Sequence, residues 1–151
     1  MKTIQLLSLL KNFPLFTFND FVKITKQSSE YCRTSLYRLK KQKFIFEIER
    51  GKYTVYDDPL IFSSFIVQPS YLSSWSALRY YNLTDQLPIA IFLSTPKTRP
   101  LINFNGTKII FLKTKYMWGY KRVRYFDWDI FMAEPEKAVI DSLLSKNVSL
   151  E

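Results

Sequence analysis

Between residues 28 and 42 the chain carries a pattern that only a half-buried α-helix satisfies. Cys32, Leu36 and Leu39 recur at spacings of four and three and share one face, which predicts a helix packed along that stripe. Ser28 or Ser29 is expected to cap it, and it should run to about Gln42. What flanks this helix narrows the fold further. Ile4, Leu6, Leu7, Leu9 and Leu10 predict an earlier helix that ends before Pro14. Residues 15–18 read as extended, because aromatic and β-branched side chains suit a strand. Asn19 is the expected N-cap of a short second helix through Ile24, with Asp20 in its first turn. Thr25, Lys26 and Gln27 then form the turn before the third helix. After it, residues 44–48 alternate as a strand, residues 49–52 make a charged tip and residues 53–56 return.

Three helices followed by a hairpin is the order of a winged helix-turn-helix. The third helix then presents Glu30, Arg33, Thr34, Tyr37 and Lys41 opposite its apolar stripe, with Arg38 and Lys40 at the flanks. Arg and Thr can meet base edges, while Lys and Tyr can hold phosphates. The expected DNA-binding set is Ser29, Arg33, Thr34, Tyr37, Arg38 and Lys41 on the helix, with Arg50 and Lys52 at the wing. Arg33 and Thr34 lie early on the helix, where base edges are usually reached. Charge agrees with a polyanionic partner. The chain's formal charge is +9, and from Lys23 to Lys43 seven basic residues face only Glu30.

Asp57-Asp58-Pro59 marks the expected boundary between residues 1–58 and 59–151, since Pro59 disfavours helix at Asp58. The second segment reads as a small α+β domain on an antiparallel sheet. Residues 60–67 form an apolar helix, expected to pack against the hairpin, and residues 73–81 a helix capped by Ser73 or Ser74. Within the latter Trp75, Ala77 and Leu78 are expected in the core. Residues 89–93 suggest a buried strand, and Asn105-Gly106 a tight hairpin between residues 101–104 and 108–112. Residues 120–126 and 129–132 form another strand pair, and residues 134–144 a last helix with Pro135 in its first turn. Val139, Ile140, Leu143 and Leu144 supply that helix with an apolar stripe.

Several function classes are disfavoured. The chain has no histidine, so the commonest general base and metal ligand is missing. Cys32 is its single cysteine, which precludes an intrachain disulfide and a Cys/His zinc site. No metal or cofactor is expected. No run of eighteen apolar residues exists, so a soluble cytoplasmic protein without a membrane partner is expected. Asp85, Asp127, Asp129, Glu134, Glu136 and Asp141 could be imagined around a magnesium ion. They fall at turns and on a helix, where plain structural uses suffice, and Lys137 with Asp141 reads as a surface i,i+4 pair. A nucleic-acid enzyme is therefore the weakest reading. A second basic surface, for a partner or for nucleic acid, is expected from Arg79, Lys121, Arg122 and Arg124, interleaved with Tyr116, Trp118, Tyr120 and Tyr125.

Three segments carry a family likeness. Tyr71-Leu72-Ser73-Ser74-Trp75-Ser76-Ala77-Leu78 followed by Tyr81-Asn82-Leu83 resembles a motif of AbiEi-type antitoxins. Ala133-Glu134-Pro135-Glu136-Lys137-Ala138-Val139-Ile140-Asp141 is similar to their EKA segment, and Arg50-Gly51-Lys52-Tyr53 to their wing element. The resemblance implies a transcriptional repressor whose first domain binds operator DNA, usually repeats upstream of its own operon. It implies that the second domain counteracts a nucleotidyltransferase-like toxin, without requiring a stable complex with it. Chains of that family commonly run on beyond the EKA helix. A short variant or a truncated chain is thus expected here, with Leu150-Glu151 as a cloning remnant in the latter case. The alternative is a stand-alone winged-helix transcription factor whose second domain dimerises or senses a ligand.

Overall fold

The computed structural model describes residues 2–85 and 90–144, and its contacts divide the chain into two units, Met1–Asp58 and Pro59–Glu151. In the first unit α1 (Thr3–Leu10) buries Leu6 and Leu10 and stops short of Pro14. The short strand β1 (Phe16–Thr17) leads directly into α2 (Phe18–Thr25). The cap of α2 is Thr17, two residues before the expected Asn19. The Asp20 N–H donates to Thr17 Oγ1 at 3.1 Å, and the Thr17 N–H donates to Asp20 Oδ2 at 2.9 Å. That reciprocal pair satisfies two helix-end donors at once, which one Asn cap cannot do. Lys26 closes α2 in the left-handed region at φ 57°, and Ser28 caps α3 (Ser29–Lys41). Two strands follow, β2 (Phe46–Glu49) and β3 (Lys52–Thr54).

These strands form a three-stranded antiparallel sheet in the order β1-β3-β2. A bulge between Glu47 and Glu49 twists β2, and Gly51 at φ 81° makes the turn. The Phe18 N–H donates to the Gly51 carbonyl at 3.3 Å, so the hairpin turn is tied to the start of α2. At the other end Thr54 Oγ1 donates to the Pro14 carbonyl and the Tyr56 hydroxyl to the Lys11 carbonyl. The core between helices and sheet is Leu6, Leu10, Phe16, Phe21, Cys32, Leu36, Leu39 and Ile45. Each of the larger side chains contributes roughly 1.5–3 kcal/mol by leaving water.

The second unit is built on a six-stranded sheet. Its elements in chain order are α4 (Pro59–Ile66), β4 (Tyr71–Leu72), α5 (Ser74–Tyr80), β5 (Ala90–Thr95), β6 (Ile102–Phe104), β7 (Thr107–Lys113), β8 (Tyr120–Tyr125), β9 (Trp128–Ala133) and α6 (Pro135–Leu144). Ile89, expected to open β5, lies outside the described residues, as do Leu150 and Glu151. The strand order is β6-β7-β5-β4-β9-β8. The sheet is mixed rather than antiparallel as expected. β4/β5, β6/β7 and β8/β9 run antiparallel, but β5/β7 and β4/β9 are parallel. Local turn signals such as Asn105-Gly106 mark hairpins; they do not say which distant strands become neighbours. β5 is buried along its whole length, as a strand flanked and covered on both faces must be. α4 packs on β4, β5 and β9 of its own unit.

In α6 the buried positions are not those of its apolar stripe. Val139, Ile140, Leu143 and Leu144 are all exposed, and the buried positions are Lys137, Ala138 and Asp141. A charged pair has taken the place that periodicity assigns to the aliphatic residues.

Candidate nucleic-acid interface

The surface of α3 is set by what anchors its other side. Cys32, Leu36 and Leu39 are buried among the residues of α1 and α2. The Cys32 thiol lies 3.3 Å from Thr25 Oγ1, itself a donor to the Phe21 carbonyl at 2.9 Å, so the turn between α2 and α3 is internally bonded. Cys32 is wholly buried and acts as packing. With the helix phase set in this way, Glu30, Thr34, Tyr37 and Lys41 point most directly outward. Ser29, Arg33, Thr34, Tyr37, Arg38 and Lys41 are all exposed, and so is Arg50 at the hairpin turn.

The flanks of the helix differ in their partners. Arg33 places its guanidinium over the Phe18 ring, 5.7 Å from the centroid, and so leans toward α2. Lys40 pairs with Glu47 at 2.9 Å, and that hydrogen bond raises its pKa above the ordinary lysine value. Burial raises the pKa of Tyr53, with the Glu47 carboxylate adding to the effect. On the other flank Arg38 and Tyr31 line a cleft of about 580 Å³ with Thr3, Leu6 and Gln42. Lys52 is not a bare charge at the hairpin: it is half-buried and bonded to Glu49 at 2.9 Å. Arg50 is the more accessible of the two cations there.

In the second unit Lys121, Arg122 and Arg124 are exposed on β8, an edge strand of the sheet. Arg122 lies opposite Phe131 and sits over its ring at 5.7 Å; Arg124 pairs with Asp129 at 3.4 Å. Arg79 departs from this group. It is half-buried, and its guanidinium donates to the Thr84 carbonyl at 3.2 Å, holding the segment after α5. Trp75 is half-buried, while Ala77 and Leu78 are in the core.

The Lys137–Asp141 pair, read from sequence as a surface pattern, is buried at 1% and 6% exposure. The Asp141 carboxylate accepts from the Lys137 ammonium, from the Tyr71 hydroxyl and from the Ser73 hydroxyl, the last two at 3.0 Å. Ser94 donates to Ser73 Oγ at 2.8 Å. The ammonium lies between the Trp118 and Tyr71 rings, 5.0 and 5.9 Å from their centroids. Burial pushes the Tyr71 hydroxyl well above the usual phenol range, and the Asp141 charge pushes it further. Every member of this cluster has partners, which is the condition for a buried pair to be tolerated. An i,i+4 Lys–Asp spacing looks the same on a surface and in a core. The available hint is the hydroxyl run around Tyr71 and Ser73, of which those two reach Asp141.

Among the described residues there is no group of three or more candidate metal ligands, and no helix is long and apolar enough to cross a membrane. In comparisons with known proteins, no family model matches the chain and no curated protein matches it.

Proposed function

We propose that residues 1–58 form a winged helix-turn-helix that binds duplex DNA, and that the chain is a cytoplasmic transcriptional repressor. The observation that carries this reading is α3: a thirteen-residue helix, anchored on α1 and α2 by one face, with Arg33, Thr34, Tyr37, Arg38 and Lys41 exposed on the rest. α2 and the turn at Lys26 supply the first half of a helix-turn-helix, and the β2–β3 hairpin with Arg50 supplies the wing. A helix about 10–12 Å across fits the major groove of B-DNA, and cations on its flanks meet the phosphates on either side. The test is a salt titration of duplex binding. Neutralising several phosphates makes affinity fall by roughly 10³ or more between about 50 and 200 mM salt, and a flat titration would remove the reading.

The resemblance to AbiEi-type antitoxins supports a second role, protection against a nucleotidyltransferase-like toxin by residues 59–151. Lys121 and Arg122 are exposed candidates for it, whereas Arg124 is paired with Asp129 and Arg79 has a structural use. Co-expression with such a toxin tests this. A folded Lys121→Ala/Arg122→Ala variant is expected to lose protection while still binding DNA, and full protection would take those residues out of the site.

A further inference from the structure

We infer that α3 reads thymine methyl groups, so that the duplex it selects carries A·T pairs opposite Thr34 and Tyr37. The inference rests on the duplex-binding reading above and adds the base class to it. The ridge pointing straight out of α3 is Glu30, Thr34, Tyr37 and Lys41, opposite the buried Cys32, Leu36 and Leu39. Thr34 Oγ1 donates to the Glu30 carbonyl at 3.1 Å. Its one hydroxyl proton is therefore spent inside the helix, and the side chain offers the groove a methyl group. Tyr37 follows it along the ridge and is 66% exposed, so its aromatic ring is available to the groove. The guanidinium groups that pair bidentately with guanine are off this ridge. Arg33 is held over Phe18 on one flank, and the helix phase puts Arg38 on the other, where it lines a cleft that Glu30 and Thr34 also border. Both positions suit phosphates. A methyl and an aromatic ring on the reading ridge have one apolar counterpart in the major groove, the C5 methyl of thymine.

The experiment selects a duplex for the full chain from a random pool, then replaces each of its thymines singly by deoxyuridine, which deletes only the methyl. Binding is measured at one salt concentration for the wild-type chain and for Thr34→Ser. Removing one buried methyl is expected to weaken wild-type binding about fourfold at one or two positions. Thr34→Ser is expected to erase the thymine–uracil difference at one of them and leave it at the other. Selective binding with no uracil effect at any position overturns the inference while leaving duplex binding intact. A selected site made of G·C pairs, with Arg33→Ala as its most damaging change, overturns it in the same way. Failure to bind any duplex overturns both the inference and the reading beneath it.

Discussion

At the scale of single residues, the buried pair in α6 separates structural from exposed charge. Lys137→Met strands the Asp141 carboxylate among Tyr71, Ser73 and Ala138, so the chain should lose about 3–5 kcal/mol in chemical denaturation. Lys137→Met combined with Asp141→Leu should recover much of that loss, because no unpaired charge then remains. Equal losses in the single and double variants would contradict this account. Tyr71 gives a pH prediction. Its folded pKa is raised, mainly by burial, so the folded chain holds the phenol proton more tightly than the unfolded chain. The stabilisation is therefore full below the ordinary tyrosine pKa of about 10 and is lost as pH rises toward the folded value. Tyr81, raised by burial and by Tyr80, Glu134 and Glu136, acts in the same direction. Thermal melting between pH 8 and pH 11 should show a falling midpoint for the wild type and a shallower fall for Tyr71→Phe. Arg33 belongs to this scale too. Under the proposed duplex binding, Arg33 held over Phe18 would meet a phosphate, so Arg33→Ala should weaken selected and random duplexes alike and reduce the salt slope by about 1.

At the scale of elements, short-range chemistry decided most starts and stops. Pro14, Ser28, Pro59 and Asn105-Gly106 each act on their immediate neighbours, and the elements begin or end beside them. Thr17 outcompeted Asn19 because it forms a two-way bond with Asp20; Thr17→Ala should therefore cost about 1 kcal/mol, measurable by denaturant midpoint, and Asn19→Ala much less. The segment before β8 offers a sharper test. A Cβ on Gly119 would lie 2.9 Å from Lys137 Cβ, and its φ is 72°, whereas a Cβ on Gly51 at φ 81° meets nothing. Both alanine variants incur left-handed strain of about 1–2 kcal/mol. Gly119→Ala should be clearly the worse of the two, since it also presses on the buried lysine. Equal losses would show that the contact is relieved without cost.

At the scale of the whole molecule, the two units keep separate accounts. Residues 1–58 hold 11 Lys/Arg against 6 Asp/Glu and have their own core around Phe16, Phe21 and Leu36. A fragment of residues 1–58 should accordingly fold and retain most of the duplex affinity of the full chain, checked by circular dichroism and by the salt titration. Loss of binding in a folded fragment would assign part of the interface to residues 59–151.

The sequence by itself determined the α+β class, the placement of most helices and strands, and which face of α3 is apolar. These follow from period, caps and turns, which act over a few residues. It also determined which charges cluster along α3, because every one of them lies within a single helix. Only the tertiary structure decided that β5 runs parallel to β7 and β4 to β9, since strand neighbours are chosen by packing across long stretches of chain. It alone turned α6 with Lys137 and Asp141 inward and four aliphatic residues outward, because Tyr71, Ser73 and Trp118, distant in sequence, solvate that pair in place of water. The same holds for Lys52 and Arg79, whose charges look alike on paper but are committed to Glu49 and to the Thr84 carbonyl in the fold. A charge is available to a partner only where no nearer group has claimed it, and which groups are near is a property of the folded chain.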